Sequence, residues 1–451
     1  MLVKRTAELK LLEEQYAYAG NNLVILYGRK GMGKTSLIKE FLVDKPSAYY
    51  FEGLECEDSL QLLLMNLRAH SEDNLNELMD YPILFSSLLG ADGGKTIIVL
   101  DEFHYILKSS EGILEALRLL GNQNRQVMFV LCSSSIRWVE NEMVSELGEY
   151  AAFITAYMKL KEFTFVDFVN RFPKSSVETC IYINAILGGI PEYLDAWQES
   201  NSVEQNIKNL LLNKNSRLFH APQQFLKLEL REPAVYNTIL YYLAAGNRKL
   251  NDLHGKTGYS RAKISVYLKN LIQLDIVEKL VPLDEEGKEN AMRGLYRIKD
   301  NFLSFWYRFV FPNISEIMVG SADRIYEREI VPYLDSYMKE YFADVCTEFL
   351  KLMNLHNRLP EKFIWWDRWY GKNGTIDILA QAGDKKTLVG SCHFEDRITG
   401  QEEYFALLAL ADEAKVSPDN CYLFSRKGFS EELKKMAADG KDLNLIGLED
   451  L

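Results

Sequence analysis

The stretch Gly28-Arg29-Lys30-Gly31-Met32-Gly33-Lys34-Thr35-Ser36 restricts the possible folds of this chain more than any other. It follows the apolar run Leu23-Val24-Ile25-Leu26-Tyr27 and opens into Leu37-Ile38-Lys39-Glu40-Phe41-Leu42, so a glycine-rich turn joins a buried strand to a helix. A nucleoside triphosphate carries several negative charges that need close, dry partners. Glycines at 28, 31 and 33 let the backbone curl until its N–H groups converge on one point. The spacing is G-x-x-x-x-G-K-[ST], in which Lys34 reaches the β- and γ-phosphates and Thr35 lends its hydroxyl to Mg²⁺. The dipole of the following helix adds positive potential at the same place. A turn that merely happens to contain Lys-Thr is the lesser reading, because the full spacing sits between strand and helix. ATP or ADP with Mg²⁺ is therefore the expected cofactor set.

Such a loop needs carboxylates at the end of a neighbouring parallel strand. Thr96-Ile97-Ile98-Val99-Leu100 is a short continuous apolar run that ends in Asp101-Glu102. Asp101 is placed to hold the metal and Glu102 to polarise a lytic water as catalytic base. Taken alone, the pair would read as a solvated strand end; beside the phosphate loop it does not.

The 451 residues suffice for two to four domains, and 47% hydrophobic with 26% charged residues is ordinary globular composition. A net charge of -12 argues against non-specific coating of nucleic acid, so any DNA contact has to come from a local basic patch. The cysteines Cys56, Cys132, Cys180, Cys346, Cys392 and Cys421 form no C-x-x-C pair and read as reduced core residues of a cytoplasmic protein. No apolar segment approaches membrane-spanning length.

Strands are expected near 23–27, 48–52, 96–100, 127–132 and 155–160, after an opening helix around 6–18. Alternation with helices implies a parallel sheet covered on both faces. The fourth strand runs into Ser133-Ser134-Ser135, where Ser133 is either a sensor of the γ-phosphate or one of several serines capping the next helix. Helices dominate from about 163 to 230, punctuated by Gly188-Gly189-Ile190-Pro191. From 233 a helix, a short helix near 250–256, the turn Thr257-Gly258-Tyr259 and a helix over 260–274 have helix-turn-helix spacing. Two strands around 276–281 and 294–298, joined by a polar turn at 284–290, complete a winged helix. Arg248, Lys249, Lys256, Arg261, Lys263 and Lys269 cluster there, with Arg261, Lys263 and Lys269 the candidate contacts to double-stranded DNA. A protein partner or self-association is the competing use of that surface.

The segments Arg5-x-x-Glu8-Leu9-x-x-Leu12, the phosphate loop, Asp101-Glu102-Phe103, Gly188-Gly189-Ile190-Pro191 and Phe305-Trp306-Tyr307-Arg308-Phe309-Val310 together resemble the archaeal-type ATPase family, a branch of the STAND group. The resemblance implies an α/β fold over nearly the whole chain: a P-loop ATPase core at 1–162, a helical lid at 163–230, a winged helix at 231–312, a helical linker at 313–340 and a PD-(D/E)XK restriction-endonuclease-like domain at 341–451. It further implies nucleotide held between sheet, lid and winged helix. Where the family has an arginine after the fourth strand, this chain reads Leu147-Gly148-Glu149-Tyr150-Ala151-Ala152, which points to slow turnover.

A PD-(D/E)XK site requires a helix glutamate, a hairpin aspartate and Glu-x-Lys on the next strand. Ile376-Asp377-Ile378 matches the aspartate strand, but Gly390-Ser391-Cys392-His393 lacks both carboxylate and lysine, and Ala343 follows Phe342 in the helix, with Asp344 or Glu348 nearby. Asp377 alone would bind Mg²⁺ poorly. The expected domain is a nuclease fold without its chemistry, and His393 a packed or solvated strand residue. Trp365, Trp366 and Trp369 read as core anchors before they read as base-stacking platforms. The whole is expected to be an ATP-binding, slowly hydrolysing switch that recognises DNA or a protein. A nucleotide-bound scaffold and an ATP-regulated nuclease are the alternatives.

Overall fold

The computed structural model describes residues 5–54, 81–89, 94–109, 112–121, 126–280, 294–440 and 442–451. Two compact units divide the chain, Leu2–Glu162 and Phe163–Leu451.

The first unit is built on strands β1 (Asn22–Tyr27), β2 (Ala48–Glu52), β3 (Thr96–Asp101), β4 (Val127–Ser133) and β5 (Ile154–Lys159), in the order β2-β3-β4-β1-β5 and all parallel. Every residue of β3 and β4 is buried, as the unbroken apolar runs require of strands covered on both faces. The edge strand β5 alternates in exposure. Phe51, Phe85, Phe103, Phe129 and Trp138 fill the core on one side of the sheet. β4 lies between β1 and β3, and its register sets Tyr27 opposite Ser133 and Leu100 opposite Leu131. The loop after β1, Asp101 at the end of β3 and Ser133 at the end of β4 are therefore collected at one carboxyl edge, where open parallel sheets bind ligands.

In the second unit, helices run from Phe165 to Glu229, among them Val177–Leu187, which ends at Gly188 with φ 65° before Pro191 opens the next turn of helix. Helices Pro233–Ala244, Leu250–Thr257 and Arg261–Gln273 precede the antiparallel pair β6 (Val277–Leu280) and β7 (Leu295–Ile298). Ile264, Tyr267, Leu268 and Leu271 form the buried face of the third helix, and Ser260 caps it by accepting from the Lys263 amide at 3.2 Å. The expected polar turn at 284–290 lies outside the described residues. The helix Val331–Leu355 runs unbroken through the 340/341 boundary expected from sequence, because Phe342, Ala343, Val345 and Cys346 continue its buried stripe and no breaker interrupts it.

That helix packs on a five-stranded sheet of β8 (Phe363–Tyr370), β9 (Thr375–Ala382), β10 (Thr387–His393), β11 (Asn420–Ser425) and β12 (Leu443–Gly447), ordered β12-β11-β10-β9-β8. β8, β9 and β10 pair antiparallel, then β10, β11 and β12 parallel, with helices Gln401–Glu413 and Glu431–Asp439 as crossovers. Trp365 and Trp369 pack against the core of this sheet, in keeping with an anchoring role.

Candidate functional site

The loop after β1 has the backbone its glycines foreshadow: φ is 150° at Gly28, 85° at Gly31 and 86° at Gly33. A Cβ on Gly28 would meet the Leu160 carbonyl oxygen at 3.0 Å, so space as well as conformation calls for glycine there. Gly33 is the left-handed cap of the helix Lys34–Leu42. The buried Lys34 Nζ donates to the carbonyls of Gly28 at 2.8 Å and Arg29 at 3.2 Å, curling back over the loop. Arg29 is buried, with Nη1 3.9 Å from Glu162 Oε1.

Across the edge, Thr35 Oγ1 donates to Asp101 Oδ2 at 2.9 Å, and Tyr50 Oη donates to the same oxygen at 2.6 Å. Burial, then the bond to Asp101, pushes the Tyr50 phenol well above its ordinary value, so it stays a donor. Glu102 sits at φ 49°, an unusual conformation for a non-glycine residue. Its Oε2 accepts from both the backbone amide and the hydroxyl of Ser134, each at 2.8 Å. His104 lies in the next turn, with Nδ1 3.1 Å from Ser133 Oγ and 3.5 Å from Glu102 Oε2. Burial, reinforced by the Lys108 and Lys34 charges, lowers the His104 pKa to about 4, so the ring is neutral near pH 7. Among the three serines, Ser135 caps the next helix, its hydroxyl accepting from the Trp138 amide at 3.4 Å, and Ser133 Oγ accepts from the Ser135 amide at 3.1 Å.

The donor set fits a triphosphate and its cation. A curled loop with positive φ at three glycines, a lysine folded over it, and a hydroxyl and a carboxylate in mutual contact are the groups needed for phosphate oxygens and a hard, partly hydrated metal. Lys30, Met32 and Ser36 belong to the same loop and helix start. Tyr50, His104 and Ser134 are not singled out by sequence pattern. Tyr50 sits in an ordinary-looking strand and Ser134 in a run of serines, and only the parallel register brings them to Asp101 and Glu102.

In the winged helix, Arg261 and Lys269 are exposed. Arg261 Nε donates to Asn251 Oδ1 at 2.7 Å, and Lys263 Nζ lies 4.9 Å from the Tyr259 ring centroid and 5.6 Å from that of Tyr267. Arg248 departs from the expected surface cluster. It pairs with Glu340 of the long helix and is half-buried, while its neighbour Lys249 is exposed.

Around Asp377, the Arg248–Glu340 pair is joined by Arg297 of β7, which contacts Glu278, Glu340 and Asp344, and by Arg368 of β8, which donates to Asp344 Oδ1 at 3.0 Å and to the Asp377 carbonyl at 3.1 Å. Burial raises the Glu340 carboxyl, but the Arg248 and Arg297 charges win and hold it at about 2. Asp377 is buried, which raises its pKa, while the Cys392 amide donates to its Oδ2 at 2.9 Å. Glu348 accepts from the Phe165 amide at 2.7 Å, away from this group. Ser391 Oγ and His393 Nε2 are 3.0 Å apart, and burial lowers the His393 pKa. Among the described residues, no group of three or more His, Cys, Asp or Glu side chains is arranged to hold a metal ion.

Residues 2–196 match a family described as an ATPase domain predominantly from Archaea, residues 237–279 one described as bacterial regulatory proteins of the arsR family, and residues 306–404 one described as archaeal and bacterial proteins of unknown function. An uncharacterized protein of Methanocaldococcus jannaschii is 28% identical over 460 residues, covering 95% of this chain and 100% of its own. An uncharacterized ATP-binding protein of the same organism is 51% identical over 45 residues, covering 10% of this chain and 76% of its own. Among solved structures, the Aeropyrum pernix ORC2 protein in its ADPNP-ADP complexes aligns at TM-score 0.43 and 13% identity over 72% of this chain and 94% of that one. The Pyrococcus horikoshii STAND protein with a tetratricopeptide repeat sensor aligns at TM-score 0.27 and 16% identity over 78% of this chain and 50% of that one. Among the described residues no helix is long and apolar enough to cross a membrane. The chain carries an archaeal-type P-loop ATPase domain followed by a winged-helix region.

Proposed function

We propose that the protein is an ATP-binding switch that hydrolyses its nucleotide slowly. The reading rests above all on the contact between Thr35 Oγ1 and Asp101 Oδ2 at 2.9 Å, which joins the phosphate loop to the strand-end carboxylate. Gly28 to Ser36 hold the phosphates through backbone amides and Lys34, and Thr35 and Asp101 hold Mg²⁺. The chemistry supplied by the bound cation is neutralisation of charge on the β- and γ-phosphates. Glu102 is the base that takes a proton from the lytic water, and its engagement with Ser134 represents a resting position from which it must turn. Ser133 senses the γ-phosphate, held in place by the neutral ring of His104.

The winged helix recognises double-stranded DNA through Arg261, Lys263 and Lys269, with a protein partner as the competing target. The C-terminal sheet is a restriction-endonuclease-like domain whose chemistry is lost. Its αβββαβ order supports the fold, and the guanidinium-paired carboxylates, together with Ser391 and His393 where Glu and Lys are needed, support the loss.

The deciding experiment is ATP turnover by wild type and Glu102→Gln, with and without double-stranded DNA. Turnover stimulated by DNA and lost in the mutant is the expected result, and turnover indifferent to DNA redirects the winged helix to a protein. A second reading, a non-catalytic nucleotide-bound scaffold, draws on the engaged Glu102. It wins if wild type retains nucleotide yet never turns over. Divalent-dependent DNA cutting abolished by Asp377→Ala would instead restore the nuclease.

A further inference from the structure

Within the second unit, a cleft of about 250 Å³ lies where the winged helix meets the long helix Val331–Leu355. Three guanidiniums line it, those of Arg248, Arg297 and Arg308, against the single carboxylate of Glu340. Arg297 also contacts Glu278 and Asp344, neither of which lines the cleft. Arg248 commits only Nη2, to Glu340, so its Nε and Nη1 make no hydrogen bond to a described residue. Arg308 makes no ion pair or hydrogen bond with any described residue; its guanidinium carbon lies 5.7 Å from the ring centroid of Tyr333, which also borders the cleft. The helix end at Leu243–Gly246 would oppose an anion, but three of its carbonyls are already engaged. The Tyr241, Leu243 and Tyr242 oxygens accept from the amides of Ala245, Gly246 and Asn247 at 2.9–3.0 Å.

We propose that this cleft binds a small phosphomonoester, a site separate from the phosphate loop and independent of how that loop is read. With Arg368 included, four guanidiniums stand against the carboxylates of Glu278, Glu340 and Asp344, and the one positive charge left over, carried by the unengaged Arg308, suits a phosphoryl anion. The planar guanidinium presents paired donors at the spacing of phosphoryl oxygens, so the free edges of Arg248 and Arg308 grip the phosphoryl group. The Tyr333 ring offers an apolar face to the organic part. The volume of about 250 Å³ lies just below the usual range for ligand pockets, which limits the occupant to one phosphoryl group on a body no larger than a nucleoside.

The test is calorimetric titration of AMP, and separately of inorganic phosphate, into the full chain saturated with ADP to occupy the phosphate loop. It is run on wild type, Arg308→Gln and Arg308→Lys. Arg308 is exposed and makes no ion pair among the described residues, so neither variant is expected to disturb folding, and near-ultraviolet circular dichroism verifies that. Wild type should bind one equivalent of AMP, Arg308→Gln should weaken it about tenfold or more, and Arg308→Lys should recover part of the loss. No binding of AMP up to about 10 mM, or binding unchanged in Arg308→Gln, overturns the site. Equal affinity for AMP and inorganic phosphate overturns the assignment to a phosphomonoester.

Discussion

At the scale of single residues, the carboxyl edge of the first sheet is organised by a few short contacts, each with its own measurable consequence. Lys34 is buried, and its ammonium now rests on two loop carbonyls. Lys34→Ala is expected to lower nucleotide affinity by two orders of magnitude or more, read by fluorescent-nucleotide titration, since a charge-assisted contact in a dry site contributes about 3 kcal/mol. His104 gives a pH signature. Its folded pKa is depressed to about 4, so between about pH 6.5 and pH 4 the unfolded chain binds the extra proton, and stability falls as pH falls through that window. Wild type should lose about 3 kcal/mol more than His104→Gln between about pH 7 and pH 4, measured by urea unfolding; parallel losses would refute the assignment.

At the scale of elements, β4 is the strand on which the edge depends. It pairs with β1 and β3 and carries Phe129, which is fully buried and meets Phe85 edge-on at 6.1 Å between ring centroids. Phe129→Ala should cost about 4 kcal/mol in chemical denaturation of the first unit, because a large cavity would open between two close-packed layers. The helix Arg261–Gln273 makes a different prediction. Lys269→Ala should weaken binding to any duplex about equally and flatten its salt dependence, whereas Lys263, lying over Tyr259 and Tyr267, should lose stability as well as affinity. A fluorescence-anisotropy salt series on both variants separates the two. The boundaries of these elements were largely readable from the chain. Apolar runs marked the strands, Ser260 the start of the third helix and Gly188-Gly189 with Pro191 a helix break. The unbroken helix across residue 340 was not, since it has no internal signal to distinguish a linker from the domain it enters.

Over the whole molecule, both units have a sheet with an apolar core. The first also buries Arg29, Lys34, Asp101 and His104. The second ties its winged helix and C-terminal sheet together through the Arg248, Arg297, Arg368, Glu340 and Asp344 cluster, and Arg426 joins that sheet to the helices carrying Glu178 and Asp335. Glu340→Gln would leave the half-buried Arg248 without its counter-charge, and the more deeply buried Arg297 with Glu278 and Asp344 alone. It should destabilise the second unit by about 3 kcal/mol in a denaturant titration while leaving the first unit's transition in place.

Local sequence alone determined the phosphate loop, the strand that ends in Asp101-Glu102 and the helix-turn-helix spacing. In each, the chemistry lies within a few consecutive residues, and glycine, carboxylate and apolar period are legible side by side. Only the tertiary structure decided that Tyr50 and Thr35 share one oxygen of Asp101, that Ser134 engages Glu102, and that Arg248 pairs with Glu340. Those contacts join residues 32 to 92 positions apart. They depend on strand register and on the burial of charge against charge, and neither of these is encoded in a local stretch of chain.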